Sequence, residues 1–213
     1  MKLKMLSKYR TILWDFDGVI LNSNIIRTRG FIEIFKKFPE EKVFELVKYH
    51  LKNGGLSRYH KIEYFFTKIL RNKMTQDKIF FYAEKYKVYI LNNLVDKRFI
   101  IKDTLDYIKE IENTFSMHIV SASDENELKQ ICKKLELDSF FISIHGSPVT
   151  KKENIKRLLK HNKLINEEVV LIGDSINDYE AALDNKIDFV GYNNIKLKNK
   201  QIQYITSFKT LTK

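Results

Sequence analysis

Short apolar runs that alternate with helix-like segments constrain the fold of this chain most strongly. Residues 12–14, 117–120 and 169–172 are almost purely apolar and are typical of strands buried on both faces. In the second half of the chain, segments with apolar residues at helical spacing separate these runs. Strands that alternate with helices predict right-handed crossovers and a parallel sheet. The sequence therefore predicts an α/β fold with a Rossmann-like parallel sheet as its core.

Weaker patterns extend this sheet towards the C-terminus. Residues 140–144 are typical of a further strand, and residues 187–190 of the last core strand. The Lys- and Asn-rich segment 193–203 indicates an exposed loop, and residues 205–211 indicate a short terminal element.

A long helical segment interrupts the predicted sheet after its first strand. Residues 24–94 contain no convincing strand, and their apolar residues recur at helical spacing. We therefore predict an α-helical cap domain at residues 22–95, inserted into a core domain that comprises residues 1–21 and 96–213.

Composition gives limits on partners and compartment. The formal net charge is +11, but the lysines are spread over nearly every predicted helix and no nucleic-acid-binding motif is present. No stretch approaches the roughly 18 apolar residues that span a bilayer. Cys132, the only cysteine, lies on an apolar helix face and is expected in the core, so no intrachain disulfide can form. We expect a cytoplasmic monomer or homodimer that binds neither nucleic acid nor membrane.

Two aspartates directly follow the first predicted strand. Alternate residues of a strand share a face, so Asp15 and Asp17 point roughly the same way. Like charges that close repel each other unless a cation or a proton lies between them. Gly18 then lets the backbone turn sharply or approach a ligand. An Asp-rich turn without function is the alternative interpretation of these residues alone.

Polar clusters follow most of the predicted strands, and their members are Asp15, Asp17, Ser121, Lys151, Lys152, Asp174 and Asp178. Ligands of open α/β sheets bind outside the carboxyl ends of the strands. We therefore expect these side chains to meet in one active site. Converging carboxylates without a balancing arginine need a cation, and oxygen ligands beside a phosphate favour Mg²⁺.

These motifs, in this order, resemble the haloacid dehalogenase (HAD) superfamily of phosphatases. The helical insertion resembles the cap of its phosphoglycolate phosphatase and β-phosphoglucomutase branch. The resemblance implies that Asp15 is the nucleophile and forms an aspartyl-phosphate, and that Asp17 is the general acid and base. It also implies that Asp15, the backbone carbonyl of Asp17 and Asp174 bind Mg²⁺, with Asp178 supporting them. We further expect that Asp17, beside Asp15, is driven to hold a proton for the leaving oxygen.

The same resemblance implies a phosphate-binding set. Ser121 and the amide of Ala122 would hold the phosphoryl oxygens, Gly18 would allow close approach to them, and a lysine would neutralise their charge. Lys151 is preferred because a capping box at residues 150–153 places it at the start of a helix. Lys152 is the alternative.

Three positions of the predicted cap have no settled role in the sequence analysis. Arg58 could reach an anionic group of the substrate, or it could be a solvated arginine in a helix connection. Lys61 gives a weaker signal of the same kind. Asn22 stands where many relatives carry aspartate, so no role is assigned to it.

The expected function is Mg²⁺-dependent hydrolysis of a small phosphomonoester, such as a sugar phosphate. A phosphosugar mutase, which returns the phosphoryl group to its substrate, is the alternative on the same residues. A non-catalytic phosphoacceptor or binding module is an alternative of a different class. The presence of every catalytic residue type argues against it.

Overall fold

The computed structural model describes residues 6–198 and 202–211. Six parallel strands form one sheet in the order β3-β2-β1-β4-β5-β6. Their bounds are β1 (Thr11–Trp14), β2 (Ser116–Asp124), β3 (Ser143–Ser147), β4 (Val169–Gly173), β5 (Asp188–Tyr192) and β6 (Gln203–Ile205). This parallel sheet with flanking helices confirms the predicted α/β, Rossmann-like fold.

The helices fall into two groups along the chain. Those between β1 and β2 are α1 (Asn24–Phe35), α2 (Glu40–Lys52), α3 (Arg58–Tyr64), α4 (Gln76–Leu94) and α5 (Lys102–Ile111). Those that follow β2 are α6 (Glu125–Lys134), α7 (Lys151–His161), α8 (Ile176–Asp184) and α9 (Ile195–Lys198). Across the described parts of the chain, every helix is too short or too polar to span a bilayer.

The central strand β1 positions the polar residues that follow it. All four of its residues are buried, and it pairs with both β2 and β4. Trp14 lies beside Ile119 of β2 and Ile172 of β4, so the carboxyl ends of the three strands meet at one edge of the sheet. The strand order changes direction between β1 and β4, which is where ligands bind in sheets of this type.

Helices α1 to α4 form a packed group with its own aromatic contacts. The ring centroid of Phe35 lies 4.2 Å from that of Phe65 and 5.0 Å from that of Tyr82. The first pair is tilted and the second is stacked, and packed aromatic pairs stabilise a fold beyond the area that they bury. The predicted helical insertion is therefore present as structure, while its boundaries as a separate domain remain a prediction.

The third strand lies further along the chain than the sequence predicted. Strand β3 begins at Ser143, whereas the sequence placed the strand at 140–144; residues 138–140 form a short 3₁₀ turn instead. Phe141 packs into the core from this turn, so its apolar character reflects core packing outside a strand. Strand β3 is an edge strand, and such strands tolerate polar residues such as His145.

The prediction for the C-terminal segment was wrong in two respects. Residues 187–190 do not give the last strand, since β6 extends the sheet beyond β5. The segment 193–203 is not wholly an exposed loop, because it contains α9, whose Leu197 is buried; residues 199–201 lie outside the described ranges. A helix of four residues and a strand of three are too short to give a periodic pattern.

The predicted core position of Cys132 is confirmed, and the predicted terminal element also packs on the core. Cys132 of α6 is buried among apolar residues. Phe208, within the predicted terminal element, packs its ring 5.5 Å from that of Trp14.

Candidate active site

Three aspartates from different elements converge at the carboxyl edge of the sheet. Asp15 follows β1, Asp174 follows β4, and Asp178 lies in the first turn of α8. One carboxylate oxygen from each lies within 4.8 Å of the others. The backbone N–H of Asp15 donates to the carbonyl of Ile172 at 2.9 Å, and this hydrogen bond holds Asp15 beside β4.

The aspartates of this cluster oppose each other's ionisation. Burial, and then the charge of Asp178, raise the pKa of Asp15 to about 7. Burial, and then the charges of Asp15 and Asp178, raise the pKa of Asp174 well above its usual range. Mutual repulsion of this kind is what a bound cation relieves, and three carboxylates suit the oxygen preference of Mg²⁺. The residues therefore fit a divalent cation.

Lys151 contacts the same cluster. Thr150 caps α7 by accepting a hydrogen bond from the backbone of Glu153, so Lys151 is the first helical residue, as the sequence predicted. Its Nζ lies 2.8 Å from Asp15 Oδ1 and 2.5 Å from Asp178 Oδ1. Although burial opposes it, these carboxylates raise the pKa of Lys151, which therefore stays protonated.

The alternative lysine lies elsewhere. Lys152 forms an ion pair with Asp184 at 2.8 Å, and 59% of its side chain is exposed. Consecutive helical residues point about 100° apart, which is why only one of the two lysines can face the sheet edge. The structure brings Lys151, and not Lys152, into the site.

Asp17 lies beside the cluster, but its side chain turns towards α1. Its Oδ1 accepts hydrogen bonds from Ser23 Oγ at 2.5 Å and Arg27 Nε at 2.9 Å, and its Oδ2 accepts one from Ser123 Oγ at 2.5 Å. Burial would raise its pKa, but Arg27 and the two serines outweigh this effect and lower it. The expectation that Asp15 drives Asp17 to hold a proton was therefore wrong for this arrangement. Asp17 is ionised here, and the raised pKa belongs to Asp15.

The predicted phosphate-binding residues lie at the same edge. Ser121 is buried near the end of β2, and its Oγ accepts a hydrogen bond from the backbone of Ser123 at 3.1 Å. Ser121 and Ala122 both line the pocket described below. Gly18 has a φ of +82°, and a Cβ there would lie 2.0 Å from Asp174 Oδ2. Gly18 therefore lets Asp174 approach β1, and its part in phosphate binding remains a prediction.

Arg58 is neither solvated nor free. It is buried at the start of α3, forms an ion pair with Glu127 of α6 at 2.6 Å, and lies over the ring of Tyr86 at 4.8 Å. Glu127 is fully buried and also pairs with Arg27. The alternative of a solvated arginine was therefore wrong, and Arg27 and Arg58 of the helical segment share the carboxylate of Glu127 in α6.

An open pocket of about 480 Å³ lies between the sheet edge and the helical segment. Its volume is in the range of small-molecule sites. Both parts contribute charged side chains to its wall: Asp15, Asp17 and Asp174 from the sheet, and Arg27, His50, Arg58 and Lys61 from helices α1 to α3.

Comparison of the sequence with known protein families identifies the family of this chain. The sequence model of the haloacid dehalogenase-like hydrolases matches residues 12–192, most of the chain, including every aspartate of the cluster. The chain belongs to the haloacid dehalogenase-like hydrolase family. The resemblance predicted from the motifs is thereby confirmed.

Several relatives of this HAD hydrolase have names or structures. Pyrophosphatase PpaX from Listeria monocytogenes serotype 4b (strain CLIP80459) is 24% identical over 186 residues, which cover 84% of this chain and 80% of that protein. The structure of β-phosphoglucomutase from Clostridium difficile has a TM-score of 0.76 at 16% identity and covers 96% of this chain and 93% of its own. The hydrolase YfnB from Bacillus subtilis, described as bound to magnesium, has a TM-score of 0.67 at 18% identity and covers 95% of this chain and 96% of its own. At these identities the structures show a shared fold.

HAD hydrolases generally use Mg²⁺, and this member carries an acidic cluster where its sequence predicted the metal. The cluster contains the carboxylates of Asp15, Asp174 and Asp178 but not that of Asp17. This division agrees with the resemblance, which assigned only the backbone carbonyl of Asp17 to the metal.

Sequence patterns missed several residues that shape the site of this HAD hydrolase. The side-chain amide of Asn194 donates to the carbonyl of Asp174 at 2.7 Å, from the segment predicted as exposed loop. That of Asn24 lies 3.5 Å from Asp174 Oδ2. Sequence patterns also missed Arg27. It could have been indicated by its position in α1, one helical turn after Ser23, because α1 begins soon after the loop that carries Asp17.

Proposed function

We propose that this chain is a Mg²⁺-dependent phosphatase that hydrolyses a small phosphomonoester through an aspartyl-phosphate at Asp15. The observation that supports it is the placement of Lys151 Nζ 2.8 Å from Asp15 within a cluster of carboxylates that suits a divalent cation. A carboxylate can attack a phosphate only if their negative charges are offset. Asp15 and Asp178 both contact Lys151, and of these two carboxylates Asp15 lines the pocket that a substrate would enter.

The first step transfers the phosphoryl group to the protein. An oxygen of Asp15 forms a bond to phosphorus while the bond between phosphorus and the ester oxygen breaks. In this proposal the Ser121 hydroxyl and the Ala122 amide hold the phosphoryl oxygens, and Lys151 offsets their charge. Asp17 takes up a proton when the negatively charged phosphate enters beside it, and it gives that proton to the departing oxygen, so the product leaves as an alcohol.

The second step releases phosphate. A water molecule attacks the phosphorus of the aspartyl-phosphate, and Asp17, now ionised, accepts the proton of that water. The bond between phosphorus and Asp15 breaks, and inorganic phosphate departs. The proton taken from water replaces the one given to the product, so Asp15 is again a free carboxylate and Asp17 is protonated, as both were just before the attack on the ester.

The metal-binding part of the proposal assigns Asp15, the Asp17 carbonyl and Asp174 to Mg²⁺, with Asp178 in support. When bound, the ion offsets the negative charge of the phosphate and of the carboxylates around it.

We also propose that helices α1 to α4 act as a cap over this site. Their side chains line the same pocket as Asp15, and Gly54 and Gly55, which precede α3, lie close to Ser175 and Asn177 at the start of α8. A cap in this position limits the access of water to the aspartyl-phosphate and selects the substrate.

Phosphate release from a panel of esters tests the proposal. The panel includes sugar phosphates, nucleotides, phosphoglycolate and pyrophosphate, each with Mg²⁺ and with EDTA. We expect release only with Mg²⁺, and a loss of at least about 1,000-fold in Asp15→Asn because that variant lacks the nucleophile. Unchanged circular dichroism would show that the variant is folded. Turnover by folded Asp15→Asn at the wild-type rate would contradict the proposal.

The same experiment separates the enzyme from its alternatives. A phosphosugar mutase would produce an isomeric sugar phosphate with little free phosphate. A binding module would yield neither product, and no phosphorylated protein would be detected by mass spectrometry after acid quenching.

A further inference from the structure

Lys61 is a buried cation that lines the pocket. Only 3% of it is exposed, although it belongs to the short helix α3. Its Nζ donates to the carbonyl of Gly54 at 3.2 Å and lies 6.0 Å from the ring centroid of Phe31, at the outer limit of a cation–π contact. Within residues 6–198 and 202–211 it forms no ion pair with a carboxylate. An ammonium group has three donors, so Lys61 has donor capacity left over.

The charges around Lys61 leave its own charge unbalanced. Arg27 pairs with Asp17 and Glu127, and Arg58 pairs with Glu127. Two carboxylates therefore balance two guanidinium groups, and the ammonium of Lys61 is in excess. Burial lowers the pKa of Lys61 to about 7, opposed by Asp17 and helped by Arg27 and Arg58. Folding thus places an amine where its protonated form lacks a counter-ion.

Two further polar atoms beside Lys61 lack partners. Nη2 of Arg27 and Nδ1 of His50 are buried and have no hydrogen-bond partner among the described residues. Burial, followed by the charges of Lys61 and Arg27, lowers the pKa of His50 to about 3, so its ring is neutral. Buried polar groups are normally satisfied, and Arg27, His50 and Lys61 all line the one pocket, where a ligand or water could supply the missing partners. The spare groups here are the donors of an ammonium and a guanidinium, together with one neutral imidazole nitrogen.

We infer that the substrate carries a second anionic group, a carboxylate or a second phosphoryl group, which Lys61 binds while Asp15 attacks the phosphoryl group. Arg27 Nη2 donates to the same anionic group from α1. This inference rests on the proposed phosphatase function and narrows its substrates to small phosphate esters that are anionic at both ends. The same pocket is lined by Asp15 at the sheet edge and by Lys61 on the helical segment, which places the two ends of such a molecule in one space.

Matched pairs of substrates test this inference. 3-Phosphoglycerate and glycerol 3-phosphate differ by a carboxylate against a hydroxymethyl group. Glucose 1,6-bisphosphate and glucose 6-phosphate differ by a second phosphoryl group. We expect the wild-type protein to prefer the more anionic member of at least one pair by about 10- to 100-fold in kcat/KM, the range expected for a buried hydrogen bond between charged groups. The preferred pair identifies the second anion as carboxylate or phosphoryl.

The variant Lys61→Met connects this preference to the residue. Methionine keeps the length and apolar stem of lysine and removes the charge, so we expect the preference to disappear because kcat/KM for the more anionic member falls by about 10- to 100-fold. The variant should unfold at a temperature no lower than the wild type, because it removes an unbalanced buried charge. Lys68→Met is the matched control: Lys68 is exposed on the segment that follows α3, and its variant should keep the full preference.

Two results would overturn the inference. One is a wild-type protein that hydrolyses both members of each pair equally well, and the other is a preference that survives in Lys61→Met. If no ester releases phosphate, the proposed phosphatase function fails, and binding then decides the inference separately. Calorimetric titration would compare phosphonoacetate with ethylphosphonate, neither of which has an ester bond. The second anion site is supported if the wild type binds phosphonoacetate more tightly than ethylphosphonate and Lys61→Met loses this difference. It is contradicted if the wild type and Lys61→Met bind phosphonoacetate with equal affinity.

Discussion

The ionisation of Asp17 is set by residues from two parts of the chain. Ser23 and Arg27 belong to the helical segment, and Ser123 belongs to the end of β2. Together they keep Asp17 ionised, which suits a base that accepts a proton from water. The acid role requires a proton first, and a phosphate group that enters next to Asp17 favours its uptake because a nearby negative charge raises the pKa of a carboxyl group. Substrate charge and proton uptake by Asp17 are thus coupled.

His118 gives the folded protein a specific sensitivity to acid. It is buried in β2 with its Nδ1 2.7 Å from Ser143 Oγ; burial, and then His145, lower its pKa to about 4. The unfolded chain binds this proton near pH 6.5, so the stabilising contribution is lost as the pH falls from about 6.5 towards 4. When the pH falls from about 7 to about 5, the unfolding free energy of both proteins should decrease. We expect the decrease to be smaller in His118→Asn than in the wild type, by roughly 1–2 kcal/mol. Urea unfolding at both pH values measures this difference.

His161→Asn is the control for this measurement. His161 is exposed at the end of α7, and its variant should show the same pH dependence as the wild type. Equal losses of stability in His118→Asn and the wild type would show that another group causes the acid sensitivity.

At the scale of elements, the loop before α3 approaches the start of α8 without space for a side chain at one position. A Cβ on Gly55 would lie 2.6 Å from Asn177 Cβ and 2.9 Å from Ser175 Oγ, whereas one on Gly54 would lie 3.8 Å from Ser175 Cβ. Gly55→Ala should therefore push the helical segment away from the sheet, raise KM and lower kcat together, with a combined loss in kcat/KM of about 10-fold or more. Gly54→Ala should behave as the wild type, because 3.8 Å is an ordinary contact. Steady-state kinetics on one active ester compares the two variants, and equal kinetics would contradict the close approach.

The elements that were predicted well from the sequence are those with a distinctive pattern in their own residues. Strands β1 and β4 are buried on both faces, so each is a continuous apolar run that needs no knowledge of its neighbours. Strands β3 and β6 lie at the edges of the sheet, where polar residues and short lengths remove that signal. The start of α7 was predictable because the cap at Thr150 is local in sequence.

At the scale of the whole molecule, the predicted site residues are those whose place follows from the sheet alone. Asp15 and Asp174 lie directly after strands, Ser121 lies near the end of one, and parallel strands end at one edge of the sheet. Arg27 and Lys61 line the same pocket from α1 and α3, and no local sequence pattern shows how these helices pack against the edge of the sheet. The pairing of Arg27 and Arg58 with Glu127 joins residues about 100 and 69 positions apart, and a linear pattern does not encode such pairs.

At neutral pH the acidic cluster of Asp15, Asp174 and Asp178 lowers the stability of the metal-free protein. Because burial and then Asp15 raise the pKa of Asp174, its ionised form destabilises the metal-free fold, increasingly as the pH rises above about 4. At about pH 7.5 in EDTA, Asp174→Asn should therefore unfold at a higher temperature than the wild type, by on the order of 1 kcal/mol in free energy. Adding Mg²⁺ should raise the unfolding temperature of the wild type and not that of the variant, because only the wild type keeps the complete set of carboxylates. Thermal unfolding with Asp184→Asn as the exposed control measures both effects.

The opposite result would place the cation site elsewhere: an Asp174→Asn protein that is less stable than the wild type in EDTA and whose unfolding temperature still rises with Mg²⁺. If Asp174 binds the ion, neutralising it has to remove that rise.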